Sequence, residues 1–185
     1  MKHVDFILGG LGGQGILFMT KVLARAAVEK GFRVMGAETH GMAQRGGSVV
    51  SHLRLGEVES TLVREGAADI VLALEANEAY RNIPFLKPGG QLYVNASDHT
   101  FPREAARSYL DKKAIVYRSA PAAEIALEMG APMATNLALL GFFSAFQKEP
   151  IGYEELKETI EKISPERFRK VNLRVLEAGF NQAGA

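Results

Sequence analysis

Cysteine is missing altogether from this chain of 185 residues. That removes disulfides, thiolate zinc sites, a cysteine nucleophile and any ordinary cysteine-ligated iron–sulfur cluster. If the protein works in a redox system, the metal sits on another chain. An excess of charge of one sign is also lacking: Lys and Arg number 22 against 21 Asp and Glu, a formal charge of +1. No net field marks a nucleic-acid binder. No internal repeat, low-complexity tract or linker divides the chain, and roughly 150 residues per domain makes it one domain from 1 to 185. An apolar share of 47% with 23% charged residues excludes a disordered chain. Long apolar runs are scarce. The run Val4-Asp5-Phe6-Ile7-Leu8 is broken by Asp5 and ends in glycines, so it reads as a strand and not as a signal peptide. Met129 to Gln147 is free of charge and about long enough to cross a bilayer. It nevertheless carries Pro132, Thr135, Asn136, Gly141, Ser144 and Gln147, which suits a helix buried in a core or an interface. The expectation is a soluble, cytoplasmic protein.

What is present is a clear alternation of strand and helix. Val4–Leu8 stops at Gly9-Gly10-Leu11-Gly12-Gly13-Gln14-Gly15, and from Ile16 to Lys30 the period turns helical. Gly31 ends that helix and Phe32–Ala37 reads as a second strand, parallel to the first in a βαβ unit. The segment Glu38 to Gly47 is too polar and glycine-rich for an element. Ser48–Leu55 alternates, and Gly56-Glu57 suits a tight turn into Val58–Val63, giving an inserted antiparallel hairpin and hence a mixed sheet. Strands follow at Asp69–Leu74, Gln91–Asn95 and Ala114–Arg118, with a helix at Glu78–Leu86 and a turn at Pro88-Gly89-Gly90. The remainder reads as helices at Ala122–Met129, Ala134–Phe146, Tyr153–Ile163 and from Pro165, in the first helical turn, to Ala178. The fold class is α/β: a three-layer α/β/α sandwich with a Rossmann-like mixed sheet.

Gly10-Leu11-Gly12-Gly13-Gln14-Gly15 matches G-x-G-x-x-G between a strand and a helix. Glycines there permit a tight turn and close backbone approach, and the helix N-terminus favours an anion. Glu38 falls about where a ribose-binding acid belongs. The plainer alternative is a turn that only lets the helix pack on the sheet. A second cluster, Glu38 to Ser48, holds a candidate base in His40, a fixed cation in Arg45 and the pair Gly46 and Gly47. The plainer alternative there is a polar connecting loop. His3, His52 and His99 show no metal spacing and read as surface or edge residues. Glu75 and Glu78 stand past a buried strand, where α/β sheets bind ligands, yet they better suit the start of a helix, which favours acidic residues. No catalytic triad is present.

Together the glycine turn and the stretch Glu38-Thr39-His40-Gly41-Met42-Ala43-Gln44-Arg45-Gly46-Gly47-Ser48 resemble the gamma-type subunit of 2-oxoacid:ferredoxin oxidoreductases. The resemblance continues through Asp69–Glu75, Pro88-Gly89-Gly90, Asn136–Gly141 and Asn172–Gly179, and so covers nearly the whole chain. The wording Thr-His-Gly-Met-Ala-Gln looks most like the small beta subunit of the indolepyruvate branch. The resemblance implies an accessory subunit, inactive alone, of an enzyme that decarboxylates a 2-oxoacid to acyl-CoA with electrons passed to ferredoxin. Indolepyruvate or another arylpyruvate is favoured, with pyruvate and 2-oxoglutarate as alternatives. Thiamine diphosphate, Mg and the iron–sulfur clusters would lie on alpha and thiamine-binding partner subunits, with CoA entering near this chain. No nucleic acid or membrane is implied as partner. Gly10, Gly12, Gly13, Gln14 and Gly15 carry over as the turn facing ligand or partner, and Arg45, Gly46 and Gly47 as a loop pointing toward the complex's active region. A guanidinium at Arg45 suits a CoA phosphate, a substrate carboxylate or an interface carboxylate equally. Glu38 and His40 are further candidates for contact, and no residue is assigned as catalytic. The competing reading is a freestanding nucleotide- or CoA-binding regulatory module.

Overall fold

The computed structural model describes residues 3–41, 46–97 and 101–184. Strands β1 (Val4–Leu11), β2 (Val34–His40), β3 (Ser48–Leu55), β4 (Ala68–Ala73), β5 (Leu86–Asn95) and β6 (Val116–Ala120) form one sheet in the order β2-β3-β1-β4-β5-β6. β1, β4, β5 and β6 pair in parallel, whereas β3 runs antiparallel to both β1 and β2. The helices are α1 (Ile16–Glu29), α2 (Ala76–Asn82), α3 (Glu104–Lys112), α4 (Ala122–Glu128), α5 (Thr135–Phe146), α6 (Tyr153–Ile163) and α7 (Glu166–Asn181).

Side chains alternate across the sheet, as the two-residue period of a strand requires. Phe6, Leu8, Ile70, Leu72 and Tyr93 enter one core with residues of α1, α4, α5, α6 and α7. Ile7, Val71, Leu92 and Val94 enter a second core with Ala79 of α2 and Leu110 of α3. Both faces are covered, which makes the three layers. Asp5 is fully buried in the apolar run of β1 because Arg54 stands opposite it in register and grips its carboxylate through Nε at 2.8 Å and Nη2 at 3.0 Å. A paired guanidinium is what makes such burial tolerable.

Several boundaries depart from the sequence expectation. β1 continues through Gly9 and Gly10 to Leu11, paired with Val50, Val49 and Ser48 of β3. Glycine weakens an isolated strand, but here Gly9 and Gly10 lie beneath Asn82 and Ile16, where a side chain would collide. The antiparallel hairpin is β2–β3 and not β3 with Val58–Val63, a stretch that forms no strand. Its second strand is inserted between β1 and β2, so those two run in the same direction without touching. Pro88-Gly89-Gly90 lies inside β5, where Gly89 has φ +74° and the pairing with β4 breaks register between Leu86 and Gln91. Pro165 precedes α7 as its cap residue. No described helix is long and apolar enough to cross a membrane, and α5, in the middle of the charge-free stretch, is buried over most of its length.

α5 and α7 cross with their backbones almost in contact. A Cβ on Gly141 would stand 2.0 Å from the Leu176 carbonyl oxygen, and one on Gly179 would stand 2.0 Å from that of Ala138. Only glycine permits that approach.

Candidate functional site

The carboxyl edge of the sheet gathers the end of β1, the starts of α1, α2 and α5, and the loop between β2 and β3. Gly12 of the turn donates its N–H to the Gly47 carbonyl at 2.9 Å, and Gly46 donates back to the Gly12 carbonyl at 3.4 Å. The two motifs that sequence separates by some thirty positions are therefore one hydrogen-bonded surface. The insertion of β3 beside β1 brings this about, since Ser48 pairs with Leu11 and carries Gly46 and Gly47 to the turn. Gly41 donates to the Ser48 carbonyl at 2.7 Å and closes the base of the loop. Arg45, expected in this loop, lies outside the described residues.

The turn is held from within. Gln14 accepts the Leu11 N–H on its side-chain oxygen at 2.8 Å and donates its amide to the Glu75 carboxylate at 2.6 Å. Gly10 has no room for a side chain, because a Cβ would meet Ile16 Cδ1 at 2.8 Å and Gln14 Oε1 at 3.0 Å. Gly13 is exposed with φ +102° and open space around it. Gly15, at φ +78° and ψ +29°, sits just before α1 in the left-handed region that favours glycine. Its carbonyl accepts the Asn136 side-chain amide at 3.0 Å, while Asn136 Oδ1 accepts the Leu137 N–H at 2.9 Å. No side chain caps α1 and no acid stands in its first turn, so the positive end of its dipole is left for an anion.

Glu75 and Glu78 do more than begin a helix. Glu75 occupies the cap place of α2 without a side-chain cap bond and turns its carboxylate to Gln14. Glu78 is buried and holds Ser48 Oγ at 2.6 Å and Arg81 Nη1 at 2.6 Å. Glu75 thus buttresses the glycine turn and Glu78 the return of the loop. Sequence reading missed Ser48 and Asn136 as members of this site. The one local signal was an Asn at the head of an apolar helix.

Glu38 and His40 are not brought to the turn in the same way. Both are exposed on the edge strand β2, and β3 lies between that strand and β1. Two strand spacings put Glu38 roughly 10 Å from the line of β1, which removes the reason for casting it as a ribose-binding acid. His40 ends β2 opposite Val49, next to the base of the loop. His52 is not the surface residue that its sequence suggests. It is buried, its Nδ1 accepts the Val63 N–H at 3.2 Å, and burial holds its pKa below the ordinary imidazole value. His3 is exposed and His99 lies outside the described residues. Among the described residues no group of three or more His, Asp or Glu is placed to hold a metal ion.

Beside the turn opens a cavity of about 680 Å³, bordered by Gly13, Gly15 and Asn136 and otherwise walled mainly by apolar side chains of α1, of residues 131–137 and of the start of α7.

Comparison with known proteins gives the site its setting. The indolepyruvate oxidoreductase subunit IorB of Archaeoglobus fulgidus is 37% identical over 192 residues, covering 98% of this chain and 96% of the relative. The fold is similar to that of the keto/oxoacid ferredoxin oxidoreductase gamma subunit of Geobacter sulfurreducens, with a TM-score of 0.77, 21% identity, and coverage of 97% and 98%. The 2-oxoglutarate:ferredoxin oxidoreductase of Magnetococcus marinus, solved with 2-oxoglutarate, coenzyme A and succinyl-CoA bound, matches with a TM-score of 0.79 at 22% identity. It covers 100% of this chain but only 31% of that one, where the same unit is part of a longer polypeptide. The profile of the pyruvate ferredoxin/flavodoxin oxidoreductase family matches residues 5–182, and this chain belongs to that family.

Proposed function

We propose that this chain is the small, gamma-type subunit of a thiamine diphosphate-dependent 2-oxoacid:ferredoxin oxidoreductase of the cytoplasm, with indolepyruvate or a related arylpyruvate as the favoured substrate. The observation that carries the reading is the hydrogen-bonded union of the glycine turn with the Gly46-Gly47 loop, in a chain with a near-full-length relative named for indolepyruvate. A simple dinucleotide binder has no use for that second loop, and the strand that delivers it displaces β2 from the side of β1.

Thiamine diphosphate with Mg supplies the decarboxylation chemistry of such a complex, and iron–sulfur clusters carry its electrons to ferredoxin. This chain's residues do not fit a cluster, since it has no cysteine, so the clusters belong on companion chains. What the chain offers instead is a rigid surface. Gln14 and Glu75 hold the turn and Glu78 holds Ser48, where the chain re-enters the sheet, and the uncapped start of α1 meets an anionic group there. That surface faces the catalytic subunits at the side where CoA enters, with His40 and Arg45 as the candidate contacts.

The test is recovery of the tagged chain from its native cells under anaerobic conditions, with partners identified by mass spectrometry and the complex assayed on a panel of 2-oxoacids. A large iron–sulfur chain, a thiamine-binding chain and turnover of arylpyruvates are the expected outcome. Recovery of the chain alone with bound nucleotide or CoA would replace this reading with a freestanding binding module. In the assembled complex Arg45→Ala lowers activity while the subunit stays folded; unchanged kinetics would remove Arg45 from the active region.

A further inference from the structure

The groove beside the glycine turn is walled by Phe18 of α1, Met133 just before α5 and Leu137 within it, and Pro165 at the cap of α7 with Phe168 and Val171 within it. None of the residues lining it is charged. Met133 is 76% exposed and Phe168 46% exposed, an apolar surface of the kind that marks a binding face and not a random scatter.

Its rim has a sign. At 100° per residue the stripe Pro165, Phe168, Val171, Asn172 points into the groove, Arg169 and Arg167 stand on opposite flanks of it, and Arg174 lies beyond Arg167. Arg167 stacks its guanidinium over the Phe168 ring at 4.6 Å. Arg169 Nε is buried and has no acceptor among the described residues. An apolar floor between basic flanks fits an apolar segment edged with carboxylates.

We infer that this groove seats an apolar, acid-flanked segment of the larger companion subunit. The inference rests on the subunit reading above and adds where the companion docks. A second copy of this chain fits poorly, because face-to-face pairing of the grooves sets the arginine flanks of two α7 helices against each other. A small polar ligand fits poorly as well, because apart from Asn136 and Asn172 no polar side chain lines the groove. In the Magnetococcus marinus protein a unit of the same fold belongs to a longer polypeptide, of which it covers 31%. The groove borders Gly13 and Gly15, so a segment seated there also holds the glycine turn against the companion.

Hydrogen exchange on the free chain and on the anaerobically purified complex tests this. The amides of residues 130–137 and 165–172 should exchange more slowly in the complex. Phe168→Glu, with the thermal midpoint of the unaltered chain, should lower the companion recovered by roughly 30-fold, the loss expected of a central interface residue. If that variant does not fold, exchange on the unaltered protein still decides. A complex whose two segments exchange as they do in the free chain overturns the inference. So does protection of those segments in the free chain by a concentration-dependent dimer or by CoA alone. Failure to recover any companion overturns the subunit reading itself, a result distinct from a complex whose groove stays open.

Discussion

Replacing glycine in the turn at two positions separates backbone strain from steric collision. Gly13 and Gly15 both have positive φ, but a Cβ on Gly13 meets nothing within 4 Å, whereas one on Gly15 stands 2.5 Å from Asn136 Nδ2. Gly13→Ala should therefore show strain alone, about 1–2 kcal/mol. Gly15→Ala carries the same strain and also expels the Asn136 side chain. That gives up the bond to the Gly15 carbonyl, about 0.5–1.5 kcal/mol, and leaves the buried Leu137 N–H without its acceptor, about 1–3 kcal/mol. The sum is about 2.5–6.5 kcal/mol, and at roughly 2–4 °C per kcal/mol for a chain of this size the midpoint falls by about 5–26 °C, against about 2–8 °C for Gly13→Ala. Urea denaturation followed by far-UV circular dichroism suits a chain without tryptophan. The double variant Gly15→Ala/Asn136→Ala should cost less than the sum of its singles, because Asn136→Ala has already removed the obstruction. Equal costs for Gly13→Ala and Gly15→Ala would refute the reasoning and show that Asn136 yields freely.

Two further outcomes follow from packing and titration. Gly141→Ala gains about 1 kcal/mol of helix propensity, but its Cβ faces the Leu176 carbonyl at 2.0 Å and the Phe180 nitrogen at 2.8 Å. Backbone cannot swing aside as a side chain does, so α5 and α7 must separate and the variant should lose about 1–3 kcal/mol net; a net gain in denaturation midpoint would show that the crossing is loose. Burial holds the His52 pKa below its ordinary value of 6.5, so the unfolded chain takes up a proton before the folded one does. Stability should then be fully present above about pH 6.5 and fall as pH drops below it. Thermal midpoints between pH 5 and 7 should show this slope weakened in His52→Gln; an unaltered slope would assign it to other groups.

The elements legible in sequence are those whose signal is local. α6 shows its boundaries because its apolar positions recur at helical spacing, with Leu156 and Ile160 four apart and both buried. α5 is legible from its lack of charge. α3 left no pattern to read, because Leu110 is its one buried residue and a single apolar position has no period. Glu75 and Glu78 looked like ordinary acids at a helix start, and nothing local distinguishes such a carboxylate from one turned to Gln14 or Ser48 across the sheet edge. His52 occupies the polar-looking face of β3, a face that α2 and the chain around Val63 then cover.

By itself the sequence determined the chemistry that is absent and the place of the glycine turn between a strand and a helix. It also determined a mixed α/β sheet and, through the paired motifs, the family. These rest on composition and on short-range periodicity, which need no knowledge of what lies beside each segment. Only the tertiary structure decided that β3 enters between β1 and β2. That one choice of strand order moved Glu38 away from the turn, drew Gly46 and Gly47 onto Gly12, and made Glu78 the partner of Ser48. Strand pairing is a contest among long-range contacts, settled by which faces are buried and in what register, and no window of neighbouring residues contains that information.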